Sequence, residues 1–115
     1  MKKKNTFQLT IDYAHFSCPV QKAATMLGDK WTLFLIREFL YSSKKQGFNE
    51  LLRALKPISS RTLSLKLKKL EACGILKRNI VQERPIKVEY RITKKGLELR
   101  DCLQKMGLWF RKFRE

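Results

Sequence analysis

Cysteine, histidine, proline and glycine are scarce in this chain of 115 residues, which holds three, one, three and five of them. Three cysteines are an odd number and none stand as CxxC. That excludes a closed disulfide framework and a zinc site of familiar spacing. The single histidine, His15, lies near the N-terminus, with no Ser/His/Asp, paired-carboxylate or phosphate-loop pattern around it. The chain is therefore expected to be no enzyme, with no catalytic residue, metal or cofactor to assign. No Pro/Gly/Ser-rich linker and no internal repeat divide it. A basic arm over residues 1–17 and one domain over 18–115 are expected. Leu33 to Ile36 is the longest apolar stretch, far short of a membrane span. Lys2, Lys3 and Lys4 are followed by Asp12 and His15 instead of an apolar run, which argues against a signal peptide. The reading is a soluble, cytoplasmic protein.

Acidic side chains are the other shortage. Twenty-six Lys and Arg stand against ten Asp and Glu, a formal charge of +16. The excess is concentrated: residues 44–95 hold fifteen basic and four acidic side chains. A basic field in one segment attracts polyanions and gains affinity by releasing phosphate counterions. A solvated surface alone would need no such imbalance.

The same segment has the order of parts of a winged helix-turn-helix. Phe48, Leu51, Leu52 and Leu55 form a short periodic helix that stops at Lys56-Pro57, because a residue before proline leaves the α region. Ser59 and Ser60 sit where an N-cap is wanted. Leu63, Leu67 and Leu70 then fall on one stripe of a second helix, which Gly74 closes. The fold expected is mostly α with a small β-hairpin wing.

On the second helix, 100° per residue turns Arg61, Leu65 and Lys68 away from the leucine stripe, with Thr62, Ser64 and Lys69 beside them. Ser59, Ser60, Arg61, Thr62, Ser64 and Leu65 lie in the half of such a helix that reaches base edges. Arg61 suits bidentate reading of a guanine. Leu65 suits a thymine methyl, or is a neutral surface leucine. Lys66, Lys68 and Lys69 suit phosphates, which position the protein without reading sequence. After this helix, Val88, Tyr90 and Ile92 alternate with Glu89 and Arg91 as a half-buried strand, paired with Ile75 to Gln82. The tip between them carries Arg84 and Lys87, placed for a minor groove or its phosphates, unless the hairpin is merely charged.

The flanks read as scaffold. Cys18-Pro19 starts a helix through Val20, Ala23, Ala24 and Leu27 that ends at Gly28. Asp29 caps the next, Lys30 to about Ser42, whose apolar residues run nearly all round. Trp31 on it is core or the wall of an effector pocket. Thr93 is placed to cap a last helix to about Phe113. Leu99, Leu103, Met106, Phe110 and Phe113 form a heptad-like seam there, and Trp109 beside it adds area one subunit would struggle to cover. A homodimer through the N- and C-terminal helices is expected, with two recognition helices roughly 34 Å apart. Cys18, at a helix N-terminus with Lys22 one turn on, is either a reactive thiol or a small packed residue. Cys73 and Cys102 fall in helical core patterns.

Four stretches carry a family resemblance: CPVQKAATMLGDKWTLFLIREF, FNELLRAL, ISSRTLSLKLKKLEACGILKR and PIKVEYRITKKG. Their combination, with Cys-Pro, Gly-x-Lys-Trp at 28–31, Phe-Asn-Glu-Leu at 48–51 and Val-Glu-Tyr at 88–90, resembles the HxlR family of MarR-like transcriptional regulators over residues 18–110. The resemblance implies a homodimeric winged helix on a pseudo-palindromic duplex operator, repressing or activating nearby genes. It also carries a sensing role onto Cys18, with an oxidant or small molecule as effector. The chain departs from that family in its higher basicity and Lys-rich start. The other reading kept open is a less selective architectural DNA-binding or RNA-binding protein. A non-selective binder has no need of Ser60, Arg61 and Ser64 on a groove-sized helix, and an RNA binder calls for stacking aromatics on an open strand face.

Overall fold

A computed structural model describes residues 18–114; the basic arm expected over 1–17, including His15, lies outside the described residues. Pro19–Leu27 form α1, with Pro19 in the first turn where its missing N–H is an orphan anyway. Lys30–Tyr41 form α2. Its cap is Asp29, whose carboxylate accepts the Thr32 N–H at 2.9 Å. Both helices start and stop where the sequence places them, to within a residue.

A three-residue strand, β1 (Lys45–Gly47), follows, then α3 (Phe48–Ala54). Gln46 is buried, and its amide donates to the carbonyls of Glu38 and Ser43 at 3.1 and 3.0 Å. That ties β1 to the end of α2. Glu50 accepts the Gly47 N–H at 2.7 Å and so holds the start of α3. The second helix of the pair is α4, Ser60–Ala72. Ser59, not Ser60, is its cap, accepting the Thr62 N–H at 3.0 Å. Gly74 follows α4 with φ +78, a conformation that costs glycine nothing and a side chain much.

The hairpin is β2 (Leu76–Glu83) and β3 (Ile86–Ile92), antiparallel from Leu76↔Ile92 to Glu83↔Ile86, with a bulge between Ile80 and Gln82. Its turn is tighter than the sequence reading had it. Arg84 and Pro85 alone make the turn, and Lys87 is already in β3 opposite Gln82. Along β3, Ile92 is buried, Val88 and Tyr90 are half-buried and Arg91 is exposed, as the alternation requires. Glu89 departs from it, being half-buried where water was expected, because β1 pairs beside it through Gly47. The sheet order is β1-β3-β2.

Thr93 does cap a helix, accepting the Gly96 N–H at 3.2 Å, but that helix is only α5, Lys94–Leu97. A turn at Glu98 separates it from α6, Leu99–Phe113, so the expected single helix from Thr93 is broken. The break has a packing cause. A Cβ at Gly96 would collide with Ile92 and the Ile75 carbonyl, so α5 is pressed onto the sheet while α6 leads away.

The core gathers Leu35, Ile36 and Phe39 of α2, Leu51 of α3, the Leu63, Leu67 and Leu70 stripe of α4, Ile75 just before β2, and Leu76 and Ile92 of the sheet. The fold is a winged helix-turn-helix, mostly helical with a small antiparallel sheet.

Candidate nucleic-acid interface

The buried leucine stripe decides which side of α4 faces out. With Leu63, Leu67 and Leu70 at 0–1% exposure, the opposite side must meet solvent or a partner. Arg61, Leu65 and Lys68 are exposed there, with Ser60 and Ser64 exposed on the flank beside them. Leu65 is 57% exposed, an apolar side chain outside the buried core. These five residues form one surface.

The other residues expected there have their polar atoms committed. Ser59 accepts the Thr62 N–H, and its hydroxyl donates to Thr62 Oγ1 at 3.0 Å, so both serve the start of the helix. Lys69 and Lys66 turn to the flank, placing Nζ 3.4 and 3.3 Å from Asp29 Oδ2. Lys69 thus belongs to an ion-paired edge of the surface and not to its open face. Sequence reasoning missed this contact because Asp29 and Lys69 are 40 residues apart.

Asp29 is a dense acceptor. Burial alone would raise its pKa. The Thr32 N–H and hydroxyl and the nearby Lys66 outweigh that and hold the carboxyl well below its ordinary value. The group stays charged throughout neutral and mildly acidic conditions.

The wing adds a second cationic surface. Arg84 is exposed in the turn and Lys87 is exposed on β3. Between α3 and the wing lies a groove of about 610 Å³ lined by Arg53, Arg78 and Lys87 together with Phe48, Glu50 and Tyr90. Arg53 and Arg78 were not among the residues the sequence singled out. A signal existed for Arg78, since it sits two residues after Leu76 and pairs with Tyr90 on the same strand face.

On the far side the C-terminal helix leaves an apolar face uncovered. Leu99 and Leu103 pack partly against the core, whereas Met106, Trp109, Phe110 and Phe113 are 51–65% exposed. With Val20, Ala23, Ala24 and Leu27 of α1 and Leu33 of α2, Met106, Trp109 and Phe110 line an open groove of about 870 Å³. The seam read from the sequence therefore divides, its first two members inward and the rest outward. Cys102, expected in the core, is exposed in this groove, because Leu103 beside it takes the position packed on the core. Cys73 is half-buried against the core. Cys18 occupies the N-cap position of α1 but makes no side-chain cap bond, and it is 1% exposed. Trp31 is half-buried, edge-on to Phe34 with centroids 5.9 Å apart, and lies outside the apolar groove.

Comparison with known proteins identifies the family. The model of the HxlR-like helix-turn-helix family matches residues 26–115. The HTH-type transcriptional regulator sll1512 of Synechocystis sp. is 37% identical over 86 residues, covering 75% of this chain and 62% of the relative. This chain thus spans less than two thirds of that relative's length. The reduced form of the transcriptional regulator YodB from B. subtilis superimposes with a TM-score of 0.73 at 33% identity, covering 87% of this chain and 97% of YodB. The redox regulator HypR in its reduced form gives a TM-score of 0.75 at 34% identity, covering 84% of this chain and 94% of HypR.

Proposed function

The chain belongs to the HxlR-like helix-turn-helix family of DNA-binding transcriptional regulators, and on that premise we propose a homodimer that reads a two-fold-related duplex site. The observation that carries this is the outward face of α4, where Arg61, Ser64, Leu65 and Lys68 project from a helix anchored by three buried leucines. A helix so anchored enters a major groove in one orientation, which sequence reading needs. Arg61 hydrogen-bonds a guanine edge, Ser60 and Ser64 contact base or phosphate, and Leu65 packs on a thymine methyl. Lys68 and the wing residues Arg84 and Lys87 hold phosphates, joined by Arg53 and Arg78 in the adjoining groove.

The dimer buries the apolar face of α1 and α6. A face with Trp109, Phe110 and Phe113 exposed together is larger than a monomer keeps in water, and a second copy covers it. A cytoplasmic location goes with this role, and no described helix is long and apolar enough to cross a membrane.

A redox or small-molecule effector is a finer part of the reading. HypR is a redox regulator, and its oxidised form superimposes with a TM-score of 0.73 as its reduced form does with 0.75. In this chain Cys18 is the candidate thiol, at the start of a helix that lines the apolar groove. Because it is buried, oxidation requires the first turn of α1 to open, and that opening would reshape the dimer face.

Binding titrations of two variants test the assignment of roles. Arg61→Ala should lose about 1–3 kcal/mol of discrimination at one base pair of each half-site. Lys68→Ala should weaken all duplexes alike and lower the salt slope by about 0.9. Equal, sequence-independent losses from both variants would remove Arg61 from base reading.

A further inference from the structure

Four cations project from α4: Arg61, Lys66, Lys68 and Lys69. Two of them face one carboxylate oxygen, Asp29 Oδ2, which also accepts the Thr32 hydroxyl at 2.7 Å. Asp29 lies outside α4, at the start of α2, so the contact joins separate elements of the fold. It also sits between Gly28, which lines the apolar groove, and the DNA-facing helix.

The contact is a loose one. At 3.3 and 3.4 Å the ammonium groups lie beyond the 2.7–2.9 Å usual for charge-assisted bonds. The three side chains keep 27–34% of their surface exposed, a setting in which ion pairs stabilise a fold little. Its consequence is electrical. Among the described residues it leaves Arg61 and Lys68 as the cations of the helix with no carboxylate partner, and it places a negative charge on one flank of α4.

We propose that Asp29 competes with DNA phosphate for Lys66 and Lys69 and so limits the sequence-independent affinity that α4 contributes. A phosphate approaching the flank of α4 must draw these ammonium groups from Asp29 and meets the repulsion of its carboxylate. This offsets the gain from counterion release. Phosphate contacts are common to every duplex, so the competition lowers affinity for random sequence and operator alike and leaves the base contacts of Arg61 untouched. The inference deepens the DNA-binding reading and rests on the family's binding of duplex DNA.

The test compares the full-length parent with Asp29→Asn, because asparagine still caps the Thr32 N–H but carries no charge. Each binds a random duplex and its selected operator from about 0.05 to 0.2 M salt, and log Kobs is plotted against log salt. Asp29→Asn should bind the random duplex and the operator more tightly by the same factor, each with a slope steeper by about 0.9 for each lysine released. Adding Lys66→Gln and Lys69→Gln to Asp29→Asn should restore the parental slope. The same two lysine changes in the otherwise unaltered protein should leave its slope unchanged, an arm that does not depend on Asp29→Asn folding. An unchanged slope for folded Asp29→Asn would overturn the proposal. So would a slope that drops by about two on replacing the lysines in the parent, since they would then already hold phosphates. A parent that binds no duplex at all would instead overturn the DNA-binding premise.

Discussion

Arg100 donates from Nη2 to the Leu40 carbonyl at 2.9 Å, joining the first turn of α6 to the last turn of α2 across 60 residues of sequence. The Leu40 carbonyl is among the last of α2, a group that the helix itself leaves without a donor. The guanidinium also lies over the Tyr41 ring at 5.1 Å and sits at the negative end of the helix dipole. One side chain thus sets where the apolar face of α6 stands relative to the DNA-binding unit.

Arg100→Met keeps the apolar stem and removes these contacts. It should lower stability by about 1.5–3 kcal/mol, the usual worth of a hydrogen bond to a charged group. Urea unfolding at fixed protein concentration reads it. A loss below about 0.3 kcal/mol would show that packing of Leu99 and Leu103 alone places the helix.

Asp29 makes stability depend on acid pH. Its folded pKa is depressed, chiefly by the Thr32 donors and Lys66 acting against burial, while the unfolded carboxyl titrates near 4. Its stabilising contribution is complete above that unfolded value and is lost as pH falls through the folded one. Unfolding curves from pH 6 to about 2 should show the parent losing part of its stability below about pH 4 that Asp29→Asn never had. Parallel curves for the two proteins would contradict the depressed value.

Phe110→Glu places a charge in the exposed apolar face that the second copy is proposed to cover. The variant should keep its helical circular dichroism, because Phe110 is 62% exposed. It should sediment as a monomer and lose avidity for paired half-sites. A variant that remains dimeric would move the interface off α6.

Cys18 is tested by oxidation. A mild oxidant or quinone should change DNA affinity in the parent and leave Cys18→Ser unaffected. Reaction should be slow, since the thiol is 1% exposed and α1 must open first. Equal responses of both proteins would dismiss Cys18 as the sensor.

Features that the chain encodes locally were readable in advance. Asp29 and Ser59 cap helices through donors three residues on, and the spacing of Leu63, Leu67 and Leu70 fixes the buried side of α4. Other features depend on partners distant in sequence. Lys45–Gly47 has no strand pattern of its own and becomes β1 because β3 offers it a free edge. The break at Glu98 follows from Gly96 pressing on Ile92 and Ile75, which no helical periodicity reveals. The turn of Lys66 and Lys69 towards Asp29 has the same origin. For Cys102 the helix was right, but Leu99 and Leu103 take the core-facing positions and leave the thiol exposed beside them.

Selection of bound duplexes from a randomised pool at about 0.15 M salt tests the central claim most directly, because weak phosphate-only binding is suppressed there. The account predicts a two-fold-related motif with half-sites about one helical turn apart. A pool that stays bound but unenriched, with affinity falling steeply in salt, would contradict it and leave Arg61 as one more phosphate contact.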